Sequence, residues 1–123
     1  MLKWLPFLHA WGPTLLMMAV IFGFSSLPSS EIPGFGLADF LVKKGGHATG
    51  YALLALANLR GLGWDRKRLF LAWVIAVLYS ATDEFHQSFI PGRHPSLMDV
   101  GIDAFGASVG LLLWRQFSGD SNQ

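Results

Sequence analysis

Between Tyr79 and Asp103 the chain reads YSATDEFHQSFIPGRHPSLMDVGID, with four carboxylates, two histidines, a glutamine and an arginine in 25 residues. Asp83, Glu84, Asp99 and Asp103 are half of the eight acidic residues of the whole protein. Upstream, Lys44, His47 and Tyr51 stand at i, i+3 and i+7, the spacing of one helical stripe. A histidine beside carboxylates is equipment for general acid–base catalysis, and two acids in unlike surroundings can hold different protonation states. His47, Glu84, Asp99 and Asp103 are therefore the candidate catalytic residues. Lys43, Lys44, Tyr51, Asp83, Gln87 and Arg93 are the candidate ligand-binding residues. With no cysteine in the chain, thiol nucleophiles, disulfides and thiolate metal sites are excluded. Ser25, Ser26 and Ser88 lie in no nucleophile-elbow motif, so water or a substrate hydroxyl is the better nucleophile. His47, Glu84, His86, Asp99 and Asp103 are of the types that bind zinc or manganese, but no pair has a metal motif's spacing. No cofactor is expected.

The elements that must position these groups are those of a membrane protein. Hydrophobic residues make up 52% of the 123-residue chain and charged residues only 14%, against about 25% in ordinary soluble domains. A soluble protein this small has much surface for its volume and should be more polar than average. The length suits one domain, 1–123. Crossing the hydrocarbon takes about 20 mostly apolar helical residues. Four stretches answer to that, about 8–27, 40–61, 69–88 and 98–117. The first and the end of the fourth are the most apolar, and the second contains Lys43, Lys44 and His47. The expected fold is thus all-α, a four-helix transmembrane bundle. The N-terminal run has no A-x-A-like cleavage site and reads as a retained span. Several of the five Trp fall near predicted interfaces, where an aromatic belt belongs.

Lys and Arg set the orientation. With four spans, Lys3, Arg60, Arg66, Lys67, Arg68 and Arg115 share one side, and Lys43, Lys44 and Arg93 the other. Both termini are predicted to be cytoplasmic, and the polar hairpin to face outside. No basic run suggests nucleic acid.

Helix dipoles sharpen the expectation. Asp83 and Glu84 sit near the C-terminal end of span three, where an anion is disfavoured by about 0.3–1 kcal/mol. Lys43 and Lys44 open span two, where cations are disfavoured. Violations of opposite sign at one membrane face suggest that the charges pair between helices and mark a functional site. Asp99 also fits a structural role, because Ser96-x-x-Asp99 has the spacing of a capping box. Asp103 lies one turn deeper, about 6 Å. It should carry a proton or have a donor partner, and His47 is the first candidate. Glu84, nearer water and Lys44, is expected to stay ionised. Gly106-x-x-x-Gly110 permits close helix approach, within the chain or between two copies, which leaves a homodimer open. Pro91-Gly92 signals a tight turn that brings Arg93 back over the helix ends or leaves it to lipid phosphates.

The series Lys44-x-x-His47-x-x-x-Tyr51, then DEFHQSFIPGR, then Asp99 and GIDAFGASVG resembles the VanZ-like membrane protein family. Ser25 to Pro28, before an outer loop, is similar to that family's first span. The resemblance implies a multi-span protein of the bacterial cytoplasmic membrane. Its namesake is associated with resistance to teicoplanin, a lipid-tailed glycopeptide that acts outside the membrane. One departure is Asp103, which stands where the family pattern usually has Asn.

Three functions remain open on these residues. The first is an acid–base hydrolase or transferase acting on a lipid-linked or amphipathic substrate at the outer leaflet. The second is a binding or modulating protein without turnover that recognises a lipid head group, a cell-wall precursor or an antibiotic. In the third, the charges only pin the helices together, although buried ion pairs are poor stabilisers beside apolar packing.

Overall fold

Pro13 stands inside the first apolar run and has no N–H to give to the carbonyl of His9, four residues earlier. The helix continues through it nonetheless, and the vacated carbonyl finds a donor on another helix. The Arg60 Nη1 donates to the His9 carbonyl at 2.5 Å and to the Ala10 carbonyl at 3.1 Å. In the computed structural model the described residues are 5–25, 37–90 and 97–121, without the side chains of 24–25, 37–43 and 119–121. They form α1 (Leu5–Ser25), α2 (Leu37–Gly61), a 3-10 turn (Arg66–Arg68), α3 (Leu69–Gln87) and α4 (Leu97–Ser121), with no strand among them. The expected spans fall on these four helices, with ends that differ by at most four residues.

By length and apolarity, two of the four qualify as membrane-crossing, α1 over Leu5–Gly23 and α4 over Leu97–Ser118. The expectation of four such spans is met only in part. α2 carries Lys43, Lys44 and His47, and α3 carries Asp83, Glu84, His86 and Gln87, which lower the apolarity of both. On α3 the polar side chains turn largely toward other helices. Ser80, Asp83, Glu84 and Gln87 are all buried, while Phe70, Leu78 and Phe85 on the same helix are exposed. That inverted pattern, polar inside and apolar outside, suits a helix bathed in lipid.

α2 is the hub, packing on α1, α3 and, most extensively, α4. Its Tyr51, Leu54, Ala55 and Leu59 meet Ile21 of α1, Ala72 and Ala76 of α3, and Ala107 and Leu111 of α4 in the core. The α2–α4 contact is close because glycine allows it. A Cβ on Gly106 would fall 2.7 Å from the Ala48 Cα, and one on Gly110 would fall 2.9 Å from the Ala52 Cβ. The Gly106-x-x-x-Gly110 stripe therefore serves a contact inside the chain.

Neutral hydrogen bonds join the helices away from the charges. The Thr14 hydroxyl donates to Asn58 Oδ1 at 3.0 Å, and Asn58 Nδ2 donates to the Ala72 carbonyl at 3.1 Å. Trp73 Nε1 donates to Ser108 Oγ at 2.9 Å and to the Ala104 carbonyl at 3.1 Å, and the Tyr79 hydroxyl donates to the Met18 carbonyl at 2.6 Å. Successive helices alternate in direction. His47, Glu84 and Asp103 consequently share one end of the bundle, while Arg60 and the Arg66–Arg68 turn lie at the other, where Trp64 stacks on Trp114 at 5.7 Å.

Candidate functional site

Asp103 is placed by α4 with 1% exposure, one turn inside Asp99, and its two carboxylate oxygens face two other helices. Oδ1 lies 3.3 Å from His47 Nδ1 on α2, and Oδ2 accepts a hydrogen bond from the Ser80 hydroxyl of α3 at 2.8 Å. The geometry is that of an oriented imidazole. With Nδ1–H donating to the carboxylate, Nε2 is the nitrogen that can take or give a proton. The His47 side chain keeps 28% exposure, so it spans the buried acid and the accessible end of the bundle.

Around this relay sit the other acids. Lys44, one turn before His47, forms an ion pair with Asp99 in the first turn of α4. Asp83 Oδ2 faces the Tyr51 hydroxyl at 3.4 Å and Gln87 Nε2 at 3.3 Å, both neutral donors. Glu84 is buried to 7% exposure, and its Oε2 has no hydrogen-bond partner. His86 stacks on Phe22 of α1, with ring centroids 4.1 Å apart. Among the described residues no three His, Asp or Glu side chains gather closely enough to hold a metal ion.

The structure thus brings together His47, Asp103, Asp99, Lys44, Tyr51, Asp83, Glu84 and Gln87. The expected placing of Lys44 near Glu84 is corrected: Lys44 is taken by Asp99, because the glycine stripe draws α4 against α2 and carries Asp99 to it. The Lys43 side chain, Arg93 and Ser96 of the proposed capping box lie outside the described residues. Ser80, which helical spacing puts on one stripe with Glu84 and Gln87, is not among the candidate site residues, yet it holds Asp103. A hydroxyl on the charged face of an apolar helix was the available signal.

A model of the VanZ/LLP1 family matches residues 10–118. The chain belongs to the VanZ/LLP1 family. No curated protein and no solved structure matches it. The match runs from the α1 segment that Arg60 supports to the last turns of α4, so every site residue of this VanZ/LLP1 member lies inside it. Together with the two apolar helices, it makes the chain a membrane protein.

Proposed function

We propose that this VanZ/LLP1 member is a four-pass protein of the bacterial cytoplasmic membrane, with both termini cytoplasmic and its polar cluster open to the outside. There it acts on a lipid-linked or amphipathic ligand of the cell envelope. The orientation is supported by charge. Arg60, Arg66, Lys67, Arg68 and Arg115 belong to the end of the bundle opposite His47, and such an excess of cations marks the cytoplasmic side. The lipid-facing character of the ligand is supported by the exposed Phe85, Phe89, Leu97 and Met98 around the polar end. A lipid-linked cell-wall precursor and a lipoglycopeptide of the teicoplanin kind are the ligand classes that fit the family resemblance.

The observation that carries an acid–base role is the Ser80–Asp103–His47 relay, contributed by three helices. His47 Nε2 removes a proton from water or a substrate hydroxyl as that oxygen attacks. Asp103 holds the ring and stabilises the imidazolium through Nδ1–H, and Ser80 fixes Asp103. The proton then passes from Nε2 to the leaving group. Ser80 itself is spent on Asp103 and fully buried, which speaks against a covalent serine step.

The decisive experiment incubates the purified protein with lipid-linked cell-wall intermediates and compares wild type with His47→Gln. Turnover should fall by about 100-fold or more in the variant, the usual worth of a general base. Equal product formation by both proteins would remove the acid–base role. Saturable binding with no product from either supports the second reading, a binding or modulating protein. That reading is favoured by the unpartnered oxygen of Glu84, a group suited to grip a ligand.

A further inference from the structure

Glu84 stands out from the other three carboxylates of the site by what it lacks. Asp99 has the Lys44 ammonium, Asp103 has His47 and Ser80, and Asp83 has the Tyr51 hydroxyl and the Gln87 amide. Two buried carboxylate oxygens accept no hydrogen bond, Asp83 Oδ1 and Glu84 Oε2. Asp83 is held through its other oxygen, whereas the side chain of Glu84, a residue only 7% exposed, has no hydrogen bond or ion pair among the described residues. A buried polar atom left without a partner costs about 1–3 kcal/mol, and more when charged. Near the C-terminal end of α3 the helix dipole adds to that cost rather than relieving it. A protein that only needed to join helices here would do better with an apolar residue.

We infer that Glu84 receives a primary ammonium group of the ligand. This rests on the outward-facing site proposed above and adds the charge of the head group that enters it. Three features select that chemistry. Glu84 is a carboxylate with Asp83, Asp99 and Asp103 around it, so a cationic head group is favoured beside it over an anionic one. The orphaned atom is an acceptor, so the group must carry N–H, which a quaternary ammonium lacks. Its burial favours a compact head over a bulky one. The exposed Phe85 and Phe89, which follow Glu84 along the chain, suit an attached apolar tail. A primary amine on an amphiphile meets all of these demands.

The test uses the full chain in lipid nanodiscs and three probes of equal tail length: decylammonium, decyltrimethylammonium and decyl phosphate. Binding is read by displacement in tryptophan fluorescence. Wild type should bind decylammonium in preference to the other two. Glu84→Gln, which keeps the shape and removes the charge, should weaken decylammonium binding about 10-fold to 100-fold, the worth of a charge-assisted hydrogen bond. The wild-type preference among probes needs no variant, so a folding defect in Glu84→Gln cannot mask the answer. Binding of decyl phosphate in preference to decylammonium would overturn the ammonium assignment while leaving an amphiphile site in place. Equal binding of decylammonium and decyltrimethylammonium would overturn it as well. Failure of all three probes to bind would count against both this assignment and the amphiphile site.

Discussion

At the Arg60 end of the bundle, Thr14, Asn58 and the Ala72 carbonyl form a chain of neutral hydrogen bonds across three helices. At the opposite end, Lys44, His47, Asp83, Glu84, Asp99 and Asp103 also join three helices, but with charges and with two buried carboxylate oxygens, Asp83 Oδ1 and Glu84 Oε2, that accept no hydrogen bond. Both groups tie α2 to its neighbours. In the first, every bond is neutral, and the bonded groups are inert in acid–base chemistry. The second gathers groups that titrate, and it leaves buried acceptors unsatisfied. Architecture is served by the first arrangement; the second makes sense for a site that must accept something from outside.

Substitutions can break or sharpen this contrast. The largest effect belongs to Gly106→Val. Its side chain would press on the Ala48 backbone and force α4 off α2, costing about 3 kcal/mol, the upper part of the range for overpacking. Because both regions depend on that contact, unfolding in mixed micelles should show a weakened bundle, with His47 and Asp103 parted. Wild-type stability would show that the close approach is not required.

Asn58→Ala comes next. It strands the buried Thr14 hydroxyl and opens a small cavity, a loss of about 2 kcal/mol in the same unfolding measurement. Turnover and ligand affinity per folded molecule should stay near wild type. A change in affinity with stability unaltered would dissolve the division between the regions.

Arg60→Gln should be milder, about 1.5 kcal/mol, the low end for a hydrogen bond from a charged donor. The doubly substituted chain with Pro13→Ala should recover part of the loss, since alanine restores an N–H for the His9 carbonyl. Additive losses would disprove the link between Pro13 and Arg60.

Much of the fold was legible because hydrocarbon imposes length. Apolar runs fall on all four helices, though among the described residues only α1 and α4 are apolar enough over a span's length, and the punctuation between them, as in RGLGWDRKR before α3, is polar and rich in glycine. Asp103 and His47 could be paired in advance, since a carboxylate one turn deep needs a donor and His47 lay on a stripe at similar depth. Lys44 was harder. Spacing fixes which residues share a face of one helix, but not how neighbouring helices are rotated, so the choice between Glu84 and Asp99 depended on tertiary packing. Asn58 in ALLALANLRG and Thr14 after Pro13 were each lone polar residues in apolar runs, and neither announces its partner 44 residues away. Pro13 did signal a free carbonyl at His9. Its donor, Arg60, reads along the chain only as a cytoplasmic cation.

The smallest stability effect carries the most weight. Glu84→Gln removes a buried charge with no bond to lose, so unfolding of the purified protein in mixed micelles should show stability equal to wild type or above it. That outcome places Glu84 among residues kept for use at a cost in stability. A loss comparable to that of Asn58→Ala would mean that Glu84 holds the bundle together, and would contradict the account.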